Sequence, residues 1–267
     1  MLEHLTIICS EPIRICGENH LKNTKLKSIS IKAPWILNVP QLPQTLEFFH
    51  CDGPVRNSDS VDPWYPWVYV PYTDTSFADL EHLRVIDAEL AGYHPFSFEN
   101  CVSLENLHLA GYSADYIVTD AFFNCRSIQD IHIPNVVKTI GESAFSGCTS
   151  LKTIYLPDRI TVFSMELFKG DVSLEKVYIP SSLTTIEKAV FDGCERLREP
   201  YLPDGLKKIG SYAFRNCKAF RRIYVPDSVT EIGTGVFDGC DGIVIKTKAG
   251  SFAEQYCKDN HLPYFLV

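Results

Sequence analysis

The chain has 267 residues, of which 45% are hydrophobic and 22% are charged, and this ordinary composition excludes wholesale disorder, collagen-like repeats and coiled coils. Its net charge is −8, and residues 1–133, with 17 acidic and 8 basic side chains, carry −9 of it against +1 in the remainder. Because the phosphate backbone of a nucleic acid binds clustered Lys and Arg, this excess of negative charge argues against nucleic acid as a partner. No apolar run approaches the roughly 20 residues that cross a bilayer, so we expect no membrane insertion.

The first 20 residues place an acidic residue before any base and lack a sustained apolar segment, so they do not resemble a secretory signal. Two locations are therefore expected. The protein is cytoplasmic if Met1 is its native start, and it is secreted or displayed on the cell surface if a signal peptide was removed.

Apolar triplets of the form L-x-x-L-x-L recur through residues 1–100, and each predicts a short parallel strand whose apolar residues face inward. The triplets are Leu2/Leu5/Ile7, Leu26/Ile29/Ile31, Leu46/Phe49/Cys51 and Leu80/Leu83/Val85. These residues form divergent repeats that precede the regular ones, so we predict a single domain over residues 1–267.

One of the divergent repeats carries an insertion at residues 52–76. It holds a cluster of large aromatic residues among several prolines: Trp64, Tyr65, Trp67, Tyr69 and Tyr72. Insertions in repeats map to loops, and an aromatic loop is either a binding element or a cover over the irregular first turns. Both interpretations remain open from the sequence.

Residues 101–242 repeat regularly, with a period of 23 or 24 residues. The phenylalanine column is Phe122, Phe145, Phe168, Phe191, Phe214 and Phe237, and the proline column is Pro134, Pro157, Pro180, Pro203 and Pro226. This period with L-x-x-L-x-L is typical of leucine-rich solenoids, in which stacked units bury a shared core. We predict an α/β leucine-rich-repeat solenoid, a curved right-handed superhelix with a parallel sheet on its concave face. Short helical turns that point the phenylalanines inward would form the convex side.

Cysteines occupy one further column, at Cys101, Cys125, Cys148, Cys194, Cys217 and Cys240. We interpret them as small buried packing residues, because free cysteine is among the most buried residue types. Disulfides between turns remain geometrically possible. No C-x-x-C pair is present, so the sequence predicts no metal site and no cofactor.

Three residues depart from the repeat. Asp171 replaces a cysteine, Ser164 replaces a glycine, and Pro200 replaces an inward apolar strand residue. Because proline cannot donate to a strand ladder, we predict a distortion at residues 199–201.

The exposed middle position of each strand is aromatic over much of the chain. In chain order this column is Thr6, Ser30, His50, Arg84, His108, His132, Tyr155, Tyr178, Tyr201, Tyr224 and Val244. Charged residues flank it, including Arg198 and Arg222. Tyr and Arg dominate binding hot spots, so the column predicts a binding surface. The alternative is a ladder in which like side chains on neighbouring strands pack on each other.

His108 and His132 lie on neighbouring strands of this column. Two imidazoles about 5 Å apart could hold a metal ion, but the spacing fixes no third ligand. A patch that responds to pH is favoured instead, because stacked imidazoles repel when protonated.

The last residues, 243–267, form an atypical unit that predicts a C-terminal cap. Ser251 and Glu254 have capping-box spacing ahead of a short helix to about Lys258, and residues 263–267 predict a final apolar strand. A solenoid needs such a unit to cover its last layer.

Units such as 201–223 and 224–240 resemble the BspA-type leucine-rich repeats of bacteria and some protists. The resemblance covers residues 101–267 closely, and residues 1–100 only through the strand triplet. It implies a protein that is often displayed on the surface, binds host or bacterial proteins and is not usually an enzyme.

No catalytic motif of the common hydrolase, nucleotide-binding or metalloprotease types occurs, and we predict that the protein is not an enzyme. The favoured function is an adhesin-like or scaffold module that binds a protein or peptide through the concave face and the 52–76 loop. One alternative is an intracellular inhibitor or immunity-type binding protein. Another is a carbohydrate-binding protein that uses the tyrosines as platforms for sugar rings.

Overall fold

A computed structural model shows a parallel β-solenoid. The structure describes residues 2–8, 13–14, 21–32, 36–37, 42–51, 55–56, 77–87, 90–91, 96–107, 109 and 114–267. Successive turns of the chain contribute strands to two rows, a first row of longer strands and a second row of two-residue strands. The prediction of a parallel solenoid is confirmed.

The first row follows the predicted apolar triplets. Its strands, numbered in chain order, are β1 (His4–Ile8), β3 (Ser28–Lys32), β5 (Phe48–Cys51), β7 (Val85–Asp87), β9 (Asn106–Leu107), β11 (Asp130–His132), β13 (Thr153–Tyr155), β15 (Lys176–Tyr178), β18 (Arg222–Tyr224), β20 (Val244–Thr247) and β21 (Tyr264–Leu266). Parallel pairing joins them into three sheets, β1-β3-β5-β7-β9, β11-β13-β15 and β18-β20-β21.

The second row is built from pairs of residues between the prolines and the phenylalanines. Its strands are β2 (Ile13–Arg14), β4 (Ile36–Leu37), β6 (Val55–Arg56), β8 (Leu90–Ala91), β10 (Tyr116–Ile117), β12 (Thr139–Ile140), β14 (Val162–Phe163), β16 (Thr185–Ile186), β17 (Lys208–Ile209) and β19 (Glu231–Ile232). Strand β6 pairs with β4 and β8 although it lies within the predicted insertion. Residues 55–56 of that segment therefore pair as a strand of the second row.

The core is a continuous stack of phenylalanine rings. Successive rings of the predicted column lie 5.1–5.9 Å apart and within 15° of parallel. The stack extends back through Phe98 and Phe77, at 5.3 Å each. Offset stacking of this kind adds about 0.5–1.5 kcal/mol per pair beyond buried area.

The segments that carry the phenylalanines form turns, so the short helical turns predicted for the convex side are not confirmed. Two positions per unit have positive φ, for example Ala189 at 56° and Gly193 at 81°. Residues in this left-handed region interrupt an α-helix, and only three residues separate these two.

The first row is interrupted at residues 197–202. Pro200 is buried where neighbouring turns carry Val177 and Ile223, no strand forms, and Glu199 takes a φ of 28°. Proline has no amide hydrogen for the ladder. The predicted distortion at 199–201 is confirmed, and it separates β15 from β18.

The register corrects two members of the exposed column. His50 aligns with Asp87, not with Arg84, and Tyr224 aligns with Lys246, not with Val244. The strand of this turn lies three residues later than predicted, because Leu80 and Leu83 are both buried and fit the apolar pattern equally well. The last repeat is shorter than the others, so the interval of the regular repeats does not give the position of its exposed residue.

The helix and the final strand predicted for the C-terminal unit both form. Helix α1 (Phe252–Asp259) begins after Ser251, whose side chain accepts a hydrogen bond from the Glu254 amide at 3.1 Å. Strand β21 then pairs with β20. Within the described ranges, no helix combines the length and the apolar character needed to cross a bilayer.

Candidate functional site

The most exposed aromatic residues of the regular repeats lie on one side of the first row. We call this surface the tyrosine face and define it as the outward side of residues 151–156, 174–179, 197–202, 220–225 and 243–247. Parallel pairing aligns Tyr155 with Tyr178 and, one turn earlier, His132 with Tyr155. The column is therefore a physical row of side chains, set by alternation along each strand.

Tyr155 and Tyr178 stack on each other. Their ring centroids are 3.9 Å apart with an interplanar angle of 11°, and the Lys176 ammonium lies 4.1 Å from the Tyr178 centroid. Lys176 holds the pKa of the Tyr178 phenol below its ordinary value, and Tyr155 acts in the same direction. Hydrogen bonding to Tyr178 raises the pKa of Tyr155. The self-stacking alternative is thus realised by this pair.

Tyr201 does not continue the stack. It is 69% exposed, against 54% for Tyr155 and 37% for Tyr178. In the described part of the chain it makes no ring contact with a neighbouring tyrosine, and it follows the distortion at Pro200. The tyrosine row is therefore broken between Tyr178 and Tyr201.

An open groove of about 640 Å³ lies at this break. Tyr178, Pro200 and Tyr201 line it together with the aliphatic Val177 and Ile179. Four charged residues, Glu175, Lys176, Arg198 and Glu199, also line it. Its size is within the range of sites that accept one or two side chains or a small molecule.

The two arginines predicted to bind differ in their surroundings. Arg222 donates from Nε to Glu199 Oε1 at 3.0 Å, across the interrupted turn. Arg198 is exposed and lines the groove. Among the described residues it has no ion-pair partner, so it is the arginine available to a ligand.

The remaining predicted residues divide into described and undescribed ones. Tyr224 is half-buried on β18, and His132 is exposed on β11. Outside the described residues lie His108 and the aromatic residues of the insertion, Trp64, Tyr65, Trp67 and Tyr69. The groove is the feature that the sequence did not reveal, although its cause, Pro200, was identified.

The tyrosine face is basic. It carries six cationic side chains and two acidic ones, a local net of +4. The cations are Lys152, Lys176, Arg198, Arg221, Arg222 and Lys246, and the acids are Glu175 and Glu199. The register of the last repeat, which aligns Tyr224 with Lys246, places Lys246 on this face.

The cysteine column faces the core. All six of its members are buried and free, and each thiol donates to the carbonyl of a phenylalanine on the preceding turn, at 2.9–3.2 Å. Burial raises the pKa of Cys101 to about 12. These thiols therefore pack and are not part of a surface site, as predicted.

Comparison with known proteins gives the family. The model of the BspA type leucine rich repeat region matches in six copies over residues 74–167 and 115–244, which is more than half of the chain. No curated protein matches.

Two solved structures with TM-scores above 0.5 share the fold. A leucine-rich repeat protein from Bacteroides ovatus is 20% identical, with a TM-score of 0.57 over 96% of this chain and 87% of that chain. One from Eubacterium ventriosum is 18% identical, with a TM-score of 0.52 over 89% and 82%. A T. pallidum leucine rich repeat protein is 25% identical over 49% of this chain and 58% of that chain, with a TM-score of 0.39.

The matched copies coincide with the stacked turns that carry the phenylalanine and cysteine columns. The chain belongs to the BspA-type leucine-rich repeat family.

Proposed function

We propose that this protein is a non-enzymatic binding module that holds a protein or peptide on its tyrosine face. The observation that carries the proposal is the groove at Pro200, where the tyrosine row breaks and leaves Tyr178 and Tyr201 on either side of an open cleft. The solenoid backbone fixes the positions of both residues, so little backbone entropy is lost when a partner binds.

The family supports this proposal, because leucine-rich repeat proteins commonly act as binding modules. The residue types support it too. Tyrosine buries a large area with few rotatable bonds, and arginine adds directed hydrogen bonds. The aromatic residues of the 52–76 loop remain a second predicted contact region.

A carbohydrate ligand is less well supported. A sugar ring binds to an open aromatic face, and Tyr155 and Tyr178 already cover one face of each other. Lys176 lies over the Tyr178 ring. Tyr201 is left as the one fully projecting platform of the described tyrosine face.

Selection from a random-peptide display library tests the proposal. We expect enriched peptides to bind the wild-type protein and to lose about 30-fold in affinity on a Tyr178→Ala/Tyr201→Ala variant, which corresponds to about 2 kcal/mol for a hot spot. A Phe123→Ala/Phe252→Ala variant is the matched control, since both residues are exposed aromatics outside the tyrosine face.

Two results would contradict the proposal. One is that no peptide is enriched on the wild-type protein. The other is that enriched peptides bind the tyrosine variant and the control variant equally well.

A further inference from the structure

We infer that the groove at Pro200 recognises a short acidic peptide segment. An apolar side chain of that segment enters between Tyr178 and Tyr201, and its carboxylates pair with the cations of the tyrosine face. This inference rests on the proposed function and adds the chemistry of the partner.

The charge of the tyrosine face differs from that of the whole molecule. The face has a local net of +4, whereas the chain has a net charge of −8. The preceding turns of the same row carry the acidic residues Glu105 and Asp130. The basic region therefore begins with Lys152 and covers the turns on both sides of the groove.

Several cations on other surfaces of the solenoid are neutralised by acidic residues one turn away. Nζ–O distances are 3.0 Å for Lys138 with Asp115, 2.6 Å for Lys218 with Glu195, and 2.8 Å for Lys248 with Asp227. On the tyrosine face, Lys152, Arg198 and Lys246 have no carboxylate partner among the described residues. These three side chains offer charge to a ligand without breaking an existing ion pair.

The other three cations of the tyrosine face already have contacts within the protein. Arg222 is held by Glu199, and Arg221 donates to the carbonyls of Lys218 and Asp241 at 2.6 and 3.0 Å. Lys176 lies over the Tyr178 ring. Arg198 is thus the free cation on the groove itself.

The extent of the basic region favours a peptide over a long polyanion. Neighbouring strands lie about 4.8 Å apart and an extended chain rises about 3.3 Å per residue, so about six residues cross the five basic turns. A longer polyanion would continue over Asp130 and Glu105. It would also be repelled by the acidic residues on the rest of the protein. A short peptide on the tyrosine face is screened from acidic residues more than about 8 Å away at physiological salt.

The groove adds a requirement for one apolar side chain. Five of its nine lining residues are tyrosine, proline or aliphatic, and the other four are charged. A segment with one apolar side chain between acidic ones matches both parts of this lining. A phenylalanine would lie against the exposed Tyr201 ring and gain aromatic packing.

Binding of defined peptides tests this inference by fluorescence anisotropy. The acidic probe is a labelled peptide with one phenylalanine between two runs of three acidic residues. A lysine probe replaces the acids with lysine, and a serine probe replaces the phenylalanine. We expect the lysine and serine probes to bind at least about tenfold more weakly than the acidic probe, and the acidic probe to weaken by a similar factor in about 500 mM salt.

A charge reversal identifies the groove as the site. We expect Arg198→Glu to weaken the acidic probe by at least about tenfold and to strengthen the lysine probe, because truncating or reversing a contacting charge changes affinity directly. Lys188→Glu is the matched control, since Lys188 is exposed on a turn after the second row and does not line the groove. Both variants should keep the wild-type melting temperature.

The inference is overturned if the acidic and lysine probes bind equally, if neither binds, or if Arg198→Glu and Lys188→Glu have the same effect. Displacement of the acidic probe by heparin or duplex DNA with higher affinity would also overturn it in favour of a polyanion. If display-selected peptides still depend on Tyr178 and Tyr201 but are not acidic, the proposed function stands and this inference alone is wrong.

Discussion

At the scale of single residues, Asp171 is the member of the core that fits its surroundings least. It occupies a position of the cysteine column, is fully buried, and neither carboxyl oxygen has a hydrogen-bond partner. The nearby amides of Gly147 and Cys148 donate instead to the carbonyls of Lys169 and Phe145. Burial raises the pKa of the Asp171 carboxyl well above its ordinary value, so folding favours the neutral acid.

The raised pKa of Asp171 predicts how the free energy of unfolding changes with pH. A carboxyl in the unfolded chain titrates near about 3.9. As pH rises above that value, the unfolded state releases the proton before the folded state does, so the free energy of unfolding falls. The contribution of Asp171 is therefore least unfavourable below about pH 4 and becomes more unfavourable toward neutral pH.

We expect Asp171→Cys to restore the column and to raise the free energy of unfolding by about 2 kcal/mol at pH 7, the order of an unsatisfied buried polar group. Asp171→Asn, which cannot ionise, should remove the same pH dependence without restoring the thiol. Urea unfolding at pH 4 and pH 7 measures both. A gain from Asp171→Cys that is equal at the two pH values would show that ionisation of Asp171 is not involved.

At the scale of structural elements, Pro200 determines where the tyrosine face opens. One proline removes a ladder donor, separates β15 from β18, and leaves Tyr201 without the stacking that joins Tyr155 to Tyr178. The same residue that weakens the sheet thus creates the groove on which both functional proposals rest.

We expect Pro200→Val to extend the ladder, close the groove and raise the melting temperature, because Val177 occupies the equivalent position one turn earlier and is buried. Affinity for the acidic probe should fall by about tenfold or more as Tyr201 is drawn into the stack. Pro203→Val is the matched control. Pro203 opens a turn in which its carbonyl accepts from the Leu206 amide at 3.0 Å. Valine keeps that carbonyl but gives the unfolded chain more conformational freedom, so stability should fall slightly and the groove should remain. If the Pro200→Val variant bound the acidic probe as tightly as the wild-type protein does, the groove would not be part of the binding site.

The elements that could be predicted from the sequence are those in the regular repeats, and the errors lie where the repeat is irregular. Phe145 and Cys148 recur at a fixed interval, and their inward positions follow from that interval alone. The strand near Leu83 was misplaced because two leucines three residues apart satisfy the same pattern. The groove is not encoded by any periodic position. It arises where Pro200 disturbs the pairing between turns, and its volume depends on how Tyr201 is displaced in three dimensions.

At the scale of the whole molecule, the solenoid is held together by contacts between adjacent turns. Phe168 illustrates this, since it stacks on Phe145 at 5.8 Å and on Phe191 at 5.5 Å. Each turn thus completes the core of its neighbours, and stability is close to a sum of nearest-neighbour terms. The groove is rigid only as long as the turns on both sides of it remain coupled.

We expect Phe168→Ala to lower the free energy of unfolding by about 3–5 kcal/mol, the usual cost of removing a buried phenylalanine. Because Phe168 contacts rings on two turns, hydrogen exchange should quicken in β13 and β15 as well as at the substituted turn, and the acidic probe should bind more weakly through loss of a rigid Tyr178. Phe123→Ala removes an exposed phenylalanine outside the stack and should change exchange little. If faster exchange in Phe168→Ala were confined to residues 162–170, the turns would be independent units, and a single break such as that at Pro200 could not shape a binding site shared by two of them.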